Sequence, residues 1–261
     1  DVTVFVDPLD GTREFVEGRL QNVQVLIGVA VNGRAVAGAV GLPFDAGGGS
    51  RIFFALEGGG IRSYDGAGVG SVGAPGERDA SEGSEEEPGL ARPILVAGDA
   101  EDPALAAAYD AALADGGCRR PVGGTGRKIL SVTEGRADVA IMNFKSSSWD
   151  TCAPEALLRT AGGDITDLFG ERLVYLAEPP PPATHLNACG VIASAAGYEG
   201  THRAVCAAMR RSVHALGRVE PWGLDRAAVQ RPDDGQADIV GVLRERRERL
   251  AAALSGDTRP S

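Results

Sequence analysis

Short apolar runs alternate with polar, glycine-rich breaks along this chain. Residues 2–6 are β-branched and aromatic, the pattern of a buried strand. Residues 23–31 begin by alternating and become continuously apolar. Asn32-Gly33 then supplies a two-residue turn and residues 35–41 resume as the partner, which predicts a hairpin. Strands are also predicted at 51–56, 61–64, 94–97, 137–142, 165–168, 173–176 and 190–193. Helical patterns cover 103–114, 128–134, 202–216 and 154–161, the last closed by Gly162-Gly163. Residues 243–254 read as an exposed helix of mixed charge. Strands and helices mix around at least one antiparallel hairpin, so the predicted class is α/β or α+β in layers.

Some stretches lack core-forming potential. Residues 65–93 are rich in Gly, Ser, Glu and Pro and bury too little surface to offset ordering entropy, which predicts a mobile surface loop containing a solvated Glu85-Glu86-Glu87 run. The proline run at 179–182 predicts a stiff surface connection. After Gly217 the chain turns polar and Arg-rich. The expected division is a domain over 1–205 followed by a C-terminal helix and polar tail over 206–261.

Composition narrows the function classes. Of 261 residues, 43% are hydrophobic and 24% charged, an ordinary globular balance. No apolar run reaches the ~18 residues of a membrane span. The net charge of −10 and the lack of a basic stripe argue against duplex nucleic acid as a partner. Cys118, Cys152, Cys189 and Cys206 show no CxxC or metal-ligand spacing, which predicts reduced thiols. With no secretory signal in view, a cytoplasmic location is expected. The chain opens abruptly in a strand at Asp1, so a fragment of a longer protein is expected. Nothing in the sequence sets an oligomeric state.

Three stretches carry candidate chemistry. Asp7-Pro8-Leu9-Asp10-Gly11-Thr12 places two carboxylates at a strand exit, where Pro8 should stop a central ladder. Gly11 permits close backbone approach, and a helix starting here would offer free N–H groups to an anion. Carboxylates beside an anion need intervening cations, and hard oxygens suit Mg²⁺. An ordinary turn with Asp10 as N-cap fits the same residues. In Trp149-Asp150-Thr151-Cys152-Ala153-Pro154-Glu155, Asp150 reads either as a helix N-cap or as a metal ligand from far along the chain. Pro154 then falls in the first turn and Glu155 complements the helix N-terminus. Gly123-Gly124-Thr125-Gly126-Arg127-Lys128 reads as a phosphate loop without Walker spacing, or as a flexible helix entry with Lys128 solvated.

Together these stretches resemble the Mg²⁺-dependent, lithium-sensitive phosphatases of the inositol monophosphatase superfamily, and within it the branch acting on 3′(2′),5′-bisphosphate nucleotides. The likeness is carried by residues 6–15 with Glu17-Gly18, by 22–28, by the 123–128 loop with Glu134-Gly135, and by 149–155. It implies a layered αβαβα sugar-phosphatase-like fold, N-terminally truncated, and two or more Mg²⁺ ions. Asp7 would bridge two ions, with the Leu9 carbonyl completing one and Asp10 and Asp150 holding the second. The Gly11 and Thr12 amides would grip the scissile phosphate while the Thr12 hydroxyl orients the attacking water. Gly124, Thr125 and Lys128 would face the nucleotide bisphosphate substrate. The implied reaction is removal of the 3′-phosphate of adenosine 3′,5′-bisphosphate. An inositol phosphatase and a non-catalytic relic of the fold are the alternatives.

The sequence departs from the family pattern in places. The family carries a glutamate and an aspartate upstream of this first strand, and nothing here precedes Asp1. Arg13 stands where Lys is common. Asp99 lies near where the nucleotidases often carry a nucleotide-contacting histidine. His185, His202 and His214 are dispersed and read as structural or solvated. Cys152 reads as buried packing, since no base lies near it in sequence.

Overall fold

The strand order explains where the acidic residues end up. The computed structural model describes residues 1–45, 49–72, 93–99, 105–179 and 184–215. Its strands are β1 (Val2–Asp10), β2 (Gln24–Val31), β3 (Arg34–Leu42), β4 (Arg51–Leu56), β5 (Ile61–Tyr64), β6 (Val69–Ser71), β7 (Ile94–Ala97), β8 (Cys118–Pro121), β9 (Val139–Met142), β10 (Asp164–Thr166) and β11 (Val191–Ser194). The first six form one antiparallel meander in chain order. The others form a mixed sheet ordered β10-β11-β9-β7-β8, parallel only at β7–β8 and β7–β9. The helices are α1 (Thr12–Val16), α2 (Ala106–Ala112), α3 (Thr125–Thr133), α4 (Ser148–Thr160) and α5 (Glu199–Ala215).

Burial orders these elements into layers. On α3 and α4, Leu130, Ala153 and Leu157 pack against Leu26, Val40 and Phe53 of the first sheet. From the same helices, Ile129, Val132 and Leu158 meet Val96, Ala140 and Val191 of the second sheet. The second sheet's other face packs Leu95, Ile141 and Ile192 against Ala108 and Ala112 of α2 and Val205 and Met209 of α5. The described residues thus form sheet, helix, sheet and helix layers, with α3 and α4 held between the two sheets.

The hairpin forms as expected, with positive φ at Asn32 (48°) and Gly33 (76°), as a tight two-residue turn requires. Other expectations are corrected. The 2–6 strand is not buried: Val2, Val4 and Val6 are 70%, 57% and 53% exposed and only Phe5 is covered. These valines share the outward face of the first sheet with Ile27 and Ile52, while the inner face takes α4. An apolar run reports strand propensity but does not say whether both faces are covered. Residues 173–176 form no strand, only an isolated bridge from Tyr175 to Gly33. The 65–93 loop contains β6, paired with β5, and its residues 73–92 lie outside the described residues. So do 103–104, 180–182, residue 216 and the helix expected at 243–254. The sequence reading passed over β8, whose polar Cys-Arg-Arg-Pro run carries no apolar signal. Helix α5 runs unbroken through residues 205 and 206.

Two buried polar contacts tie the layers together. His202 on α5 sits between Ser194 Oγ on β11 (2.9 Å from Nδ1) and Thr166 Oγ1 on β10 (2.8 Å from Nε2). Burial lowers its pKa below 6.5. The unfolded chain therefore binds the proton more readily, so this contact is intact above pH 6.5 and is lost as the pH falls through the lowered value. Chemical denaturation at stepped pH should show this acid-side loss, and His202→Gln should remove it. Second, Tyr175 donates to Glu155 Oε2 at 2.6 Å while Arg159 donates to Oε1 at 2.7 Å. Tyr175→Phe leaves a buried carboxylate short of one donor, and should cost about 1–3 kcal/mol by urea denaturation.

Candidate active site

β1 reaches the site through a bulge. Its pairing steps from Asp7↔Leu26 to Asp10↔Gln24, so one extra residue is accommodated around Pro8-Leu9. Because β1 is an edge strand, Pro8 removes no obligatory ladder bond, and pairing resumes at Asp10 where the sequence predicts a stop. The bulged turn closes on itself: Leu9 N donates to Asp7 Oδ1 at 2.9 Å, and the Thr12 hydroxyl donates to the Leu9 carbonyl at 3.1 Å. Gly11 then turns the chain into α1 with φ 81°, and a Cβ there would lie 2.9 Å from the Asn22 carbonyl. Only glycine fits that position.

Asp10 does not cap its own turn. Its Oδ1 accepts from Thr125 N at 3.2 Å and its Oδ2 from Gly126 N at 2.9 Å, so it caps α3 from more than a hundred residues away. The glycine-rich loop is thereby an ordered helix entry. Helix α3 begins at Thr125, three residues before the expected 128. Lys128 is buried, not solvated, and its Nζ donates to Gly124 O at 2.7 Å. Burial lowers the Lys128 pKa, opposed by the nearby carboxylates, Asp10 first.

Asp150 belongs to α4, which starts at Ser148 instead of the expected 154. Ser147 is the N-cap, and Asp150 accepts its amide at 2.6 Å in a capping box. Pro154 lies inside the helix, and Glu155 is beyond the first turn, held by Arg159 and Tyr175. Two glycines set how closely α4 lies on the first sheet. A Cβ on Gly28 would come 2.6 Å from Ala153 N, and one on Gly38 2.3 Å from Ala153 O. This close approach brings Asp150 to the bulged end of β1.

The result is a cluster in which Asp7, Asp10 and Asp150 each offer an oxygen within 4.8 Å of the others. At that spacing an ionised pair repels by about 3 kcal/mol for an effective dielectric near 20. Burial raises Asp10 to about 6, aided by Asp7 and opposed by Lys128. Burial likewise raises Asp150 to about 8, with the neighbouring Asp7 and Asp10 adding to the shift. Acids gathered in this way either keep a proton or share a cation. Three carboxylates are hard oxygen donors of the kind that divalent cations take.

Other predicted residues take different places. Arg13 and Asp99, both departures from the family pattern, pair with each other at 3.0 Å on the exposed rim. Cys152 is buried with its thiol pushed up to about 12 by burial, as packing and not nucleophilic chemistry requires. His185 packs against Trp149 and Phe5 at ring-centroid distances of 5.7 and 5.8 Å. Glu14 lies in the stretch that carries the family likeness but was given no role from the sequence; its carboxylate is gripped by Arg19 at 2.7 Å through both oxygens and by Asn22 at 2.9 Å. Arg19 holds its pKa down to about 2. Glu14 sits against Gly123, where a Cβ would meet its carboxyl carbon at 2.0 Å, so it braces α1 against the glycine loop. The presence of an acid and two of its partners within nine residues was the available signal.

Residues 1–214 match the inositol monophosphatase family. The chain belongs to that family. Mouse 3′(2′),5′-bisphosphate nucleotidase 1 is 35% identical over 207 residues, covering 76% of this chain and 59% of the mouse protein. The rat Golgi-resident adenosine 3′,5′-bisphosphate 3′-phosphatase is 29% identical over 180 residues, covering 67% and 44%. Among solved structures, CysQ from Bacteroides thetaiotaomicron, a bacterial member of the inositol monophosphatase family, superposes with a TM-score of 0.56 at 27% identity, covering 75% and 70%. The chain thus spans about three-fifths of the mouse relative's length. Among the described residues, no helix is long and apolar enough to cross a membrane.

Proposed function

We propose that this chain carries the catalytic floor of a Mg²⁺-dependent phosphatase that removes the 3′-phosphate of adenosine 3′,5′-bisphosphate, giving AMP and phosphate. The observation carrying this reading is the meeting of Asp7, Asp10 and Asp150 within 4.8 Å, in a chain similar to nucleotidases of that activity. Bound divalent ions would supply an activated water and charge stabilisation for the leaving oxygen. Asp7, Asp10 and Asp150, with the Leu9 carbonyl, would hold those ions. The Thr12 hydroxyl, which donates to Leu9 O, would orient the water. The Gly11 and Thr12 amides would hold the scissile phosphate. Gly124 and Thr125 would face the nucleotide, with Lys128 acting from inside by bracing the Gly124 carbonyl. All four cysteines are free, which suits a cytoplasmic setting.

The test is phosphate release by the full-length protein from adenosine 3′,5′-bisphosphate and from a panel of inositol phosphates, each with and without Mg²⁺. Release from the nucleotide alone, dependent on Mg²⁺, is expected. Preference for inositol 1,4-bisphosphate would reassign the substrate, and no release from any phosphate would assign the chain a non-catalytic role.

A further inference from the structure

Gln24 is wholly buried, and neither Nε2 nor Oε1 has a hydrogen-bond partner in the described structure. Buried carboxamides are almost always satisfied, so two orphaned atoms on one side chain call for a partner. The side chain stands directly across β1–β2 from Asp10, its register partner. It also converges with Asp10 on one point: a Cβ on Gly126 would lie 2.4 Å from Gln24 Oε1 and 2.9 Å from Asp10 Oδ2. The third neighbour at that point is the apolar Leu26 Cδ1, at 3.0 Å. A half-turn of the amide exchanges its oxygen and nitrogen without changing its shape, and sets an N–H donor toward Asp10.

We propose that Gln24 is a positioning residue for Asp10: its amide N–H donates to Asp10 Oδ2, directly or through one buried water, and fixes that carboxylate for a divalent cation. This rests on the metal-site reading above. Asp10 then has three donors: the Thr125 and Gly126 amides at the α3 entry and the Gln24 carboxamide behind them. Two of the three come from one helix end. Gln24 supplies the cross-strand support that keeps the carboxylate from swinging with that end. Partners of metal ligands of this type commonly tune affinity by 10–100-fold.

The test is Gln24→Met, which keeps the volume and removes both polar atoms, with Gln24→Val as a second variant suited to a strand. In metal-free protein, the Gly126 amide should exchange with solvent about 10-fold faster than in the parent, because its acceptor is loosened. The Mg²⁺ concentration at half-saturation, by calorimetry, should rise about 10-fold or more. A Gly126 exchange rate unchanged in both variants, with half-saturation within twofold of the parent, would overturn the proposal. A parent that binds no Mg²⁺ would sink the metal reading instead, and the Gly126 exchange rate would still decide the role of Gln24.

Discussion

Asp150→Asn should lower phosphatase activity by about 10³-fold or more while leaving the metal-free fold intact. Asparagine keeps an acceptor for the Ser147 amide, which Asp150 now binds at 2.6 Å, so α4 retains its capping box. What disappears is one negative charge from a cluster of three. Loss of a cation-holding carboxylate forfeits several kcal/mol of charge stabilisation, and each 1.36 kcal/mol is a factor of ten in rate. Burial already holds Asp150 near 8 in the metal-free protein, so at neutral pH the change removes little charge and the metal-free melting temperature should not fall. Asp10→Asn is a less clean test, because it can turn an amide N–H against the Thr125 and Gly126 amides that now donate to Asp10. Activity of Asp150→Asn within tenfold of the parent would count against the assigned role.

Gly38→Val should destabilise the protein by about 3 kcal/mol or more, near the upper range for overpacking a core. The new Cβ would lie 2.3 Å from the Ala153 carbonyl oxygen and 2.8 Å from its Cα. Those are backbone atoms and cannot rotate away. Valine is a good strand residue, so the loss comes from displacing α4 and not from the strand itself. Asp150 rides on α4, and a shift of about 1 Å at a reacting group can cost 10²-fold in rate. Activity per folded molecule should therefore drop as well. Urea denaturation with activity measured on the folded fraction checks both effects.

The strands were legible in the sequence wherever their pattern was local. The hairpin around Asn32-Gly33, Arg51–Leu56, Ile61–Tyr64 and Ile94–Ala97 follow from alternation and turn residues alone. Helix starts were less legible, because their caps are not where propensity alone places them. Helix α4 starts at Ser148 through a capping box in which Asp150 is the reciprocal partner, and Pro154 is absorbed into its interior. Helix α3 starts at Thr125 because Asp10, distant in sequence, accepts its first amides. A remote cap has no local signature. The outward exposure of Val2, Val4 and Val6 was equally hidden, since coverage of a sheet face is a property of the assembled layers.

The candidate site divides along the same line. Asp7, Asp10 and Asp150 were nameable from their motifs, yet their meeting depends on the bulge at Pro8-Leu9 and on the glycines under α4. Gln24 and Glu14 lie within stretches that carry the family likeness, yet nothing local gave either of them a role. Gln24 sits in an alternating strand where a buried polar residue is simply out of pattern, and that mismatch was its one readable sign.

The most direct measurement is anomalous diffraction from crystals of the chain soaked in Mn²⁺, which shares the oxygen-ligand preference of Mg²⁺. A peak within coordinating distance of the Asp7, Asp10 and Asp150 carboxylates is predicted. Crystals that stay empty there at saturating Mn²⁺, or that collect the ion elsewhere, would contradict the account.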